Sequence, residues 1–414
     1  MSQLRYWIWL TNVPGLSLTA QLRLIRDFES PEAVFLADRE ALSAVEGLTR
    51  QELESIEKRD MRRADQVLED CAKHHISILT MQDAAYPRRL LAIENPPPVL
   101  YYKGTLLAFD RLPAIAVVGS RKASAYGLAT AKRMGCQIGA CGGVVISGAA
   151  RGIDSLALEG ALSTGAPVAA VLGNGLDIVY PYEAKNLYAD VIRNGCLLSE
   201  FIPGTKPLGS NFPRRNRIMS GLSLGVLVVE AAKKSGSLIT ANHALEQGRD
   251  VYAVPGNVGL AACEGSNLLL QEGAMLATCG WDVLQGYQAR FPDRLRHVSA
   301  GEKLTLSPQD AKYLYTDEPA AQTAPAPSPR ASEPEKRIDN SEQRNYIDLQ
   351  QVKDQLTEDE RTIVEILRPG QRHVDDIIAQ SGMPAARVLA SLTLLEVKGY
   401  VQQQPGKRFD LHLK

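Results

Sequence analysis

Near-continuous apolar runs alternate with helical patterns between residues 76 and 290. The runs typical of strands are Ile76–Leu79, Ile115–Val118, Val144–Ser147, Val168–Leu172, Cys196–Ser199, Leu224–Val229 and Asp250–Val254. Helical spacing separates several of them, as in Ala125–Gly139, Ser155–Ser163 and Thr240–Gln247. Strands that are apolar throughout are typical of a parallel sheet covered by helices on both faces. The pattern predicts a doubly wound α/β domain, with ligands beyond the carboxyl ends of its strands.

Residues 1–75 have a helical pattern instead, with apolar positions at Leu18, Leu22, Ile25 and Phe28. Two similar turns, 13–16 and 45–48, each place a glycine between apolar residues. Such turns resemble helix-hairpin-helix modules, in which glycine lets backbone amides approach a phosphate. Because the first turn lacks a second glycine and the second contains Glu46, we interpret both as tight turns of a small helical domain.

The pattern changes again after residue 290. Residues 291–350 are rich in proline, alanine and serine and poor in large aliphatic residues, which predicts a flexible or extended linker. Three helical patterns follow at Leu356–Leu367, Val374–Gln380 and Pro384–Lys398, and Gly399–Leu413 is typical of a hairpin turning at Pro405-Gly406. Three helices and a hairpin predict a winged helix over residues 351–414.

Composition argues against a uniformly basic protein, a cysteine-based metal site and a membrane-spanning protein. The 414 residues carry 46 basic and 47 acidic side chains, so the chain is not uniformly basic, although a local basic patch remains compatible with that total. Six cysteines without a C-x-x-C pair or neighbouring histidine pair predict reduced thiols and no metal site. The apolar run near the N-terminus is too short for a signal segment or a membrane span, so we expect a cytoplasmic protein without a membrane partner.

Candidate binding residues follow the predicted strands. Gly119, Ser120 and Arg121 stand between a strand and a helix, where a glycine, a hydroxyl, a guanidinium and helix-terminal amides together suit a phosphate. The next strand ends at Ser147 and Gly148, followed by Arg151. We expect Asp154 or Ser155 to cap the following helix, and Asp154 to contact Arg151.

Two further loops add cations, aromatic rings and hydroxyls. After the strand at Val168–Leu172 come Tyr182 and Lys185, which suit base stacking and phosphate binding, although the tyrosine at 180 and its proline could equally be packing residues. Ser235, Gly236 and Ser237 precede a helix and offer another anion site.

The segment 203–223 contains four cations and no acid, with amides and an aromatic ring between them. Its candidate residues are Lys206, Asn211, Phe212, Arg214, Arg215, Asn216 and Arg217. A local basic excess of this kind is typical of nucleic-acid or nucleotide recognition. We expect Phe212 to offer a stacking surface, and Glu230 to orient one of the guanidinium groups.

Taken together, the blocks GSRKASAYG, SGAARGIDSLALEGAL, LGNGLDIVYP, FPRRNRIMSGLS, EAAKKSGSLITANHALEQGRDVYAVPG and EGSNLLLQEGA, in this order, resemble the DNA-processing protein DprA family. The resemblance implies an extended Rossmann-like domain over residues 76–290, an N-terminal SAM/helix-hairpin-helix-like domain over 1–75, and the C-terminal winged helix. Gly119, Ser120 and Arg121 match the family's phosphate-binding loop, and Arg214, Asn216 and Arg217 match its Arg-Asn-Arg segment. Some relatives have a lysine directly after Tyr180-Pro181, where this chain has Tyr182 and only later Lys185.

The resemblance also implies a function. It predicts sequence-independent binding of single-stranded DNA, protection of incoming DNA, loading of RecA during natural transformation, and a homodimer formed through the Rossmann-like domain. We locate the dimer contact at the apolar stretch Leu268–Leu276, although simple burial would explain the same pattern. We expect no cofactor and no catalytic activity, because no Ser-His-Asp or Cys-His arrangement can be assembled.

Two alternatives remain open. The first is a nucleotide-binding or nucleotide-cleaving enzyme of the lysine-decarboxylase-like Rossmann group, although the segment SGSLITANHALE lacks that group's double glycine and has its glutamate too late. The second is a transcription factor that reads sequence with the winged helix. Residues 352–414 carry nine basic and nine acidic residues. We therefore expect this module to contact protein or to bind duplex DNA only weakly.

Overall fold

A nine-stranded sheet lies at the centre of the larger part of the chain. The computed structural model describes residues 3–298, 357–368, 370–397, 400–404 and 408–411. The strands are β1 (Ser77–Thr80), β2 (Val99–Gly104), β3 (Ala114–Val118), β4 (Val144–Ser147), β5 (Val168–Val171), β6 (Gly195–Ser199), β7 (Gly225–Val228), β8 (Asp250–Ala253) and β9 (Met275–Leu276). Their order is β1-β2-β6-β5-β4-β3-β7-β8-β9. Strands β3 to β9 are parallel, and β2 pairs antiparallel with both β1 and β6.

Both faces of the central parallel strands, β3 to β7, are buried. Successive side chains of a strand point to opposite faces, and in β3 Ile115 and Val117 belong to one apolar core while Ala114, Ala116 and Val118 belong to another. The helices that cover the first face are α8 (Ala125–Ala140), α9 (Ile153–Leu162) and α10 (Lys185–Asn194), and those on the second are α11 (Asn211–Leu222), α12 (Gly236–Glu246) and α13 (Glu264–Gln271). The predicted doubly wound α/β architecture is confirmed.

Six helices precede the sheet: α1 (Gln3–Thr11), α2 (Leu18–Phe28), α3 (Pro31–Leu36), α4 (Arg39–Ser43), α5 (Arg50–Glu57) and α6 (Arg62–Lys73). Helices α2 and α5 begin after the two similar turns, at the caps Ser17 and Thr49. One carboxylate joins these caps, because Glu52 accepts hydrogen bonds from the backbone amides and hydroxyls of both residues. Burial raises the pKa of Glu52, but these four hydrogen bonds outweigh it and hold that pKa at about 2.

The apolar core of these helices continues into the sheet, since Trp7 and Leu10 share one cluster with Val99, Tyr101 and Ile115. The boundary near residue 75 coincides with the passage from α6 to β1, and as a domain boundary it stays a prediction. A short helix, α7 (Arg88–Leu91), precedes β2.

The C-terminal region contains α14 (Glu358–Leu367), β10 (Arg372–His373), α15 (Val374–Ser381), α16 (Ala385–Val397), β11 (Val401–Gln404) and β12 (Arg408–Leu411). Strand β12 lies between β10 and β11, and the helices and hairpin share their own apolar core. This arrangement confirms the predicted winged helix. Most of the predicted linker 291–350, and the expected turn at Pro405-Gly406, lie outside the described residues. Among the described helices, none has the length and apolarity needed to cross a membrane.

Candidate functional site

A cavity of about 680 Å³ opens at the carboxyl ends of β3 and β7. The chain runs from β3 to β4 on one side and reaches β7 on the other, so the cavity lies where the strand order reverses. Open α/β sheets bind their ligands at such a position. The predicted site residues that line it are Gly119, Ser120, Arg121, Phe212, Arg215, Asn216, Ser235, Gly236 and Ser237.

The loop after β3 forms one wall of the cavity. A Cβ atom on Gly119 would lie 2.6 Å from Cγ1 of Ile153, so this position has no room for a side chain. The Ser120 amide donates to the backbone oxygen of Glu230 at 2.8 Å, and its hydroxyl accepts from the Lys122 amide at 3.1 Å. The loop is therefore held in one shape, with its backbone close to the cavity.

Glu230 at the end of β7 fixes the other end of this loop. Its carboxylate is buried and accepts hydrogen bonds from the Ser124 amide, at 2.8 Å, and from the Ser124 hydroxyl. That hydroxyl also caps α8 by accepting from the Gly127 amide at 3.0 Å. The expectation that Glu230 orients a guanidinium group was wrong, because the strand end faces the N-terminus of α8.

Arg121 stands at the cavity with an aromatic partner. Its guanidinium carbon lies 4.7 Å from the ring centre of Phe212, whose ring is in turn 6.0 Å from that of Tyr180. The Arg121 side chain is exposed, and no described acid forms an ion pair with it. A guanidinium that stacks on a ring keeps its N–H groups in the plane free for an anion.

Helix α12 supplies the facing wall. Ser235 caps it by accepting from the Ser237 amide, and the two hydroxyl oxygens are 2.8 Å apart. The first amides of an α-helix lack partners within the helix and carry partial positive charge. The side-chain amide of Asn216 donates to the Gly236 backbone oxygen at 3.3 Å and connects α11 to this helix end. The cavity thus has hydroxyls and backbone amides opposite Arg121.

Two buried side chains of opposite charge, Arg215 and Asp154, lie at the cavity between α11 and the loop after β4. Arg215 is 3% exposed and donates to the backbone oxygen of Val171, and Asp154, which it attracts, accepts from the Gly148 amide at 3.2 Å. A Cβ atom on Gly148 would meet the Arg215 guanidinium at 2.1 Å, so this glycine makes room for an arginine. Burial raises the pKa of Asp154 and lowers that of Arg215, and the opposite charge of each partner opposes its shift.

Asp154 and Arg151 do not interact as expected. Asp154 belongs to α9 itself and faces Arg215, and the α9 N-cap, Gly152, has no side-chain cap. Arg151 pairs instead with Glu183 at 2.6 Å, with both side chains about two-thirds exposed. Arg151 is therefore a surface cation outside the cavity lining.

Several predicted contact residues use their polar atoms in hydrogen bonds or ion pairs within the protein. The Ser147 hydroxyl donates to the Val117 backbone oxygen at 2.6 Å, and the side-chain amide of Asn211 donates to the Gly173 backbone oxygen at 3.0 Å. Arg217 is 8% exposed and pairs with Glu200. Burial lowers the pKa of Arg217, and the charge of Glu200 opposes that shift. These three side chains support the walls rather than line the cavity.

The remaining candidates lie on the surface around the site. Tyr182 is 77% exposed and Lys185 begins α10, and neither lines the cavity. Arg214 is more than half exposed and lies over the Phe201 ring, 5.3 Å from its centre, with Glu200 at 3.9 Å.

The basic segment is helical, which its sequence pattern did not predict. Residues 211–222 form α11, so Arg214 and Arg217, three positions apart, both face Glu200, whereas Arg215 points about 100° away toward the cavity. The uninterrupted Arg-Asn-Arg tripeptide is Arg215–Arg217, and the match of Arg214 to its first arginine was displaced by one residue. Tyr180, for which stacking and packing were both open, also lines the cavity, as do Lys122 and Thr240, which the sequence did not single out.

Comparison with known proteins places this geometry in a family. Residues 77–288 match the family described as DNA recombination-mediator protein A, and residues 348–407 match the DprA winged helix domain. The chain is similar to Protein Smf of Synechocystis sp., with 31% identity over 99% of this chain and 98% of that protein. It is 43% identical to the DNA processing protein DprA of Streptococcus pneumoniae over 50% of this chain and 72% of that protein.

A solved structure agrees. The X-ray structure of DNA processing protein A from Streptococcus pneumoniae superposes with a TM-score of 0.61 and 34% sequence identity, covering 69% of this chain and 98% of that one. Since the family match spans the whole α/β domain and a full-length relative exceeds 30% identity, the chain belongs to the DprA/Smf family of DNA recombination mediators.

Proposed function

We propose that this protein binds single-stranded DNA without sequence preference and holds its phosphates in the cavity between β3 and α12. The observation that carries the proposal is Arg121, an exposed guanidinium stacked on Phe212 and opposite the hydroxyls and amides of the α12 N-terminus. Cations beside an aromatic ring bind the backbone and stack bases of any sequence.

The contact set differs from the one expected from sequence. Gly119, Ser120, Arg121, Ser235, Gly236 and Ser237 form the phosphate site, with Phe212 and Tyr180 as stacking surfaces. Four other residues contribute indirectly, by positioning the walls of the cavity: Arg215, Arg217, Ser147 and Asn211. Arg151, Lys185 and Arg214 are surface cations that a longer strand reaches.

The experiment is a fluorescence anisotropy titration of labelled oligonucleotides over a salt series. Arg121→Ala removes one phosphate contact, so it lowers affinity for single strands and reduces the salt slope by about 0.7. Arg193→Ala is the matched control, because Arg193 is an exposed arginine on α10 that pairs locally with Asp190. An unchanged slope for Arg121→Ala would remove the cavity from the phosphate path.

We further propose, from the family resemblance, that the protein is cytoplasmic, protects incoming DNA and loads RecA onto it during natural transformation. The expected result is that it accelerates RecA assembly on single strands coated with single-strand-binding protein, and that Arg121→Ala abolishes this gain. Equal RecA assembly with and without the protein would refute the loading role.

The edge of the sheet supports a homodimer. Strand β9 is the last strand, and its Met275 and Leu276 are 43% and 55% exposed. An apolar edge strand is a ready surface for pairing with a second copy. Sedimentation at tens of micromolar is expected to show a dimer that Leu276→Glu dissociates, and a monomeric wild type would contradict the proposal.

The nucleotide-cleaving alternative gains no support from the cavity. Asp154, which lines the cavity, is buried and accepts a hydrogen bond from the Gly148 backbone amide, and Glu230 beside it is held by Ser124. A carboxylate held in this way positions the backbone rather than a substrate water.

A further inference from the structure

The opposite end of the same sheet carries a second concentration of positive charge. Five arginines lie there, before the first residues of β3, β7 and β8, and we call them the amino-end arginine cluster: Arg88, Arg89, Arg111, Arg249 and Arg290. Two acids belong to the same group, Asp110 and Asp250. The cluster therefore has a clear positive excess.

Arg89 is the structural member of the cluster. It is 7% exposed, and its guanidinium donates at 3.2 Å to both the Leu112 and the Leu222 carbonyl oxygens, just before β3 and β7. Asp110 accepts from the backbone amides of Arg88 and Arg89 at 2.7 and 3.1 Å and lies 3.7 Å from the Arg89 guanidinium. This carboxylate is thus used to hold the start of α7.

The other arginines of the cluster have no acidic side chain as an ion-pair partner within the described part of the chain. Arg88, Arg111 and Arg290 are exposed, and within the described part of the chain none of them forms an ion pair. Arg249 is half-buried and donates to the Arg89 backbone oxygen at 2.8 Å, but its Nε atom is buried without a partner. Asp250, the second acid, accepts from the Tyr287 hydroxyl.

The arginines also act on one another. The pKa of Arg89 is lowered to about 10, chiefly by burial; Asp110 opposes this shift, and the charges of Arg290 and Arg249 add to it. Burial likewise lowers the pKa of Arg249, and Arg290 is the next cause. Like charges gathered around one half-buried guanidinium repel each other, and a bound anion would relieve that repulsion.

The residue types point to a phosphate polymer. The cluster contains arginine and no lysine, and guanidinium groups bind phosphate oxygens through two parallel hydrogen bonds. The Arg290 guanidinium stands 5.4 Å from the ring centre of the buried Phe291, so this ring holds the arginine at the surface and offers no stacking face of its own. A local excess of exposed arginines is typical of surfaces that bind the phosphates of nucleic acid.

We propose that the amino-end arginine cluster is a second DNA-binding surface, which contacts the phosphate backbone of a strand that extends beyond the cavity. The choice of DNA over an acidic protein rests on the proposed function. The five residues of β3 separate the two ends of the sheet by about 16 Å at about 3.3 Å per residue, a distance that a strand of a few tens of nucleotides easily exceeds.

The test compares the double variant Arg111→Ala/Arg290→Ala with wild type on a short and a long single strand, of about 4 and about 30 nucleotides, because about 4 nucleotides at about 3.4 Å each fall short of the separation between the two ends. The short strand fills the cavity only, whereas the long one reaches both ends of the sheet. For the long strand we expect a salt slope reduced by about 1.4 and an affinity roughly tenfold lower at about 0.15 M salt. For the short strand we expect no change.

The matched control is Arg50→Ala/Arg193→Ala, which removes the same charge from arginines whose side chains are 88% and 71% exposed. It is expected to leave both titrations at wild-type values. Unfolding midpoints of the two double variants are measured alongside, so that a folding defect is recognised.

An unchanged slope on the long strand would overturn the proposal, and so would an equal loss on both strands. Binding of polyaspartate that the cluster variant alone loses, with DNA binding intact, would assign the surface to an acidic protein segment and also overturn it. Arg121→Ala separates the two sites, because it weakens both strands if the cavity binds DNA. If Arg121→Ala changes neither while the cluster variant weakens the long strand, the cavity proposal fails and the amino-end surface stands.

Discussion

The two ends of the parallel sheet use arginine in opposite ways. At the carboxyl end, two arginines of α11 are buried: Arg217 forms an ion pair with Glu200, and the charge of Asp154 stabilises Arg215. Arg121 is left exposed on a ring. At the amino end, Arg89 is buried and bonded mainly to backbone oxygens, and three neighbours remain exposed. DNA binding at the carboxyl end therefore depends on buried arginines that position the cavity walls. DNA binding at the amino end depends on the summed charge of exposed arginines.

The largest expected effect tests the carboxyl end. Asp154→Ala removes the opposite charge that stabilises the buried Arg215 guanidinium, and an uncompensated buried charge costs about 3–5 kcal/mol. The free energy of unfolding is measured by urea titration. The matched variant at the amino end, Asp110→Ala, costs less, because Asp110 is 37% exposed and water reaches the charge that it leaves. Equal losses would show that the two ends do not differ in this respect.

A smaller effect is expected at the loop that carries Arg121. Ser124→Ala removes the cap of α8 and one partner of Glu230, which costs about 1 kcal/mol of stability. Because the loop between Gly119 and Ser124 loses an anchor, affinity for single-stranded DNA falls as well. Ser163→Ala, on a hydroxyl that bonds only within its own turn, is the control for stability and binding. A loss of stability with unchanged DNA affinity would separate the anchor from the binding site.

The smallest expected effect concerns the winged helix. Its helix α16 carries Arg387, which pairs with Asp359 at 2.7 Å, so this cation is already neutralised. Residues 352–414 are expected to bind duplex DNA more weakly than micromolar at physiological salt, as measured by filter binding. Micromolar affinity would show that this module is a DNA reader and a third nucleic-acid surface.

Strand and helix patterns predicted most of the α/β domain, because buried parallel strands are apolar along their whole length. Strand β2 was missed since it follows three consecutive prolines and lies among antiparallel neighbours, and β9 was missed since it has two exposed residues. Both belong to the part of the sheet where burial, and with it the sequence signal, is weaker.

The site was predicted in outline and misjudged in detail. Gly119, Ser120 and Arg121 lie at the cavity because a strand end, a glycine and a helix start are all local features. Gly148 looked like a similar glycine. A side chain is excluded there by the Arg215 guanidinium, which belongs to a segment more than sixty residues later. No local pattern distinguishes a glycine near a phosphate from a glycine under an arginine.

The sequence by itself determined the layered α/β fold, the winged helix and the positions along the chain where anions would be bound, because periodicity and strand-end chemistry are local. Only the tertiary structure decided which cations are free. The helical turn of α11 directs its arginines to different buried acids, and the antiparallel β2 with α7 brings distant arginines to the amino end. Those outcomes depend on partners far apart in the chain, and the near-zero net charge contains no information about them.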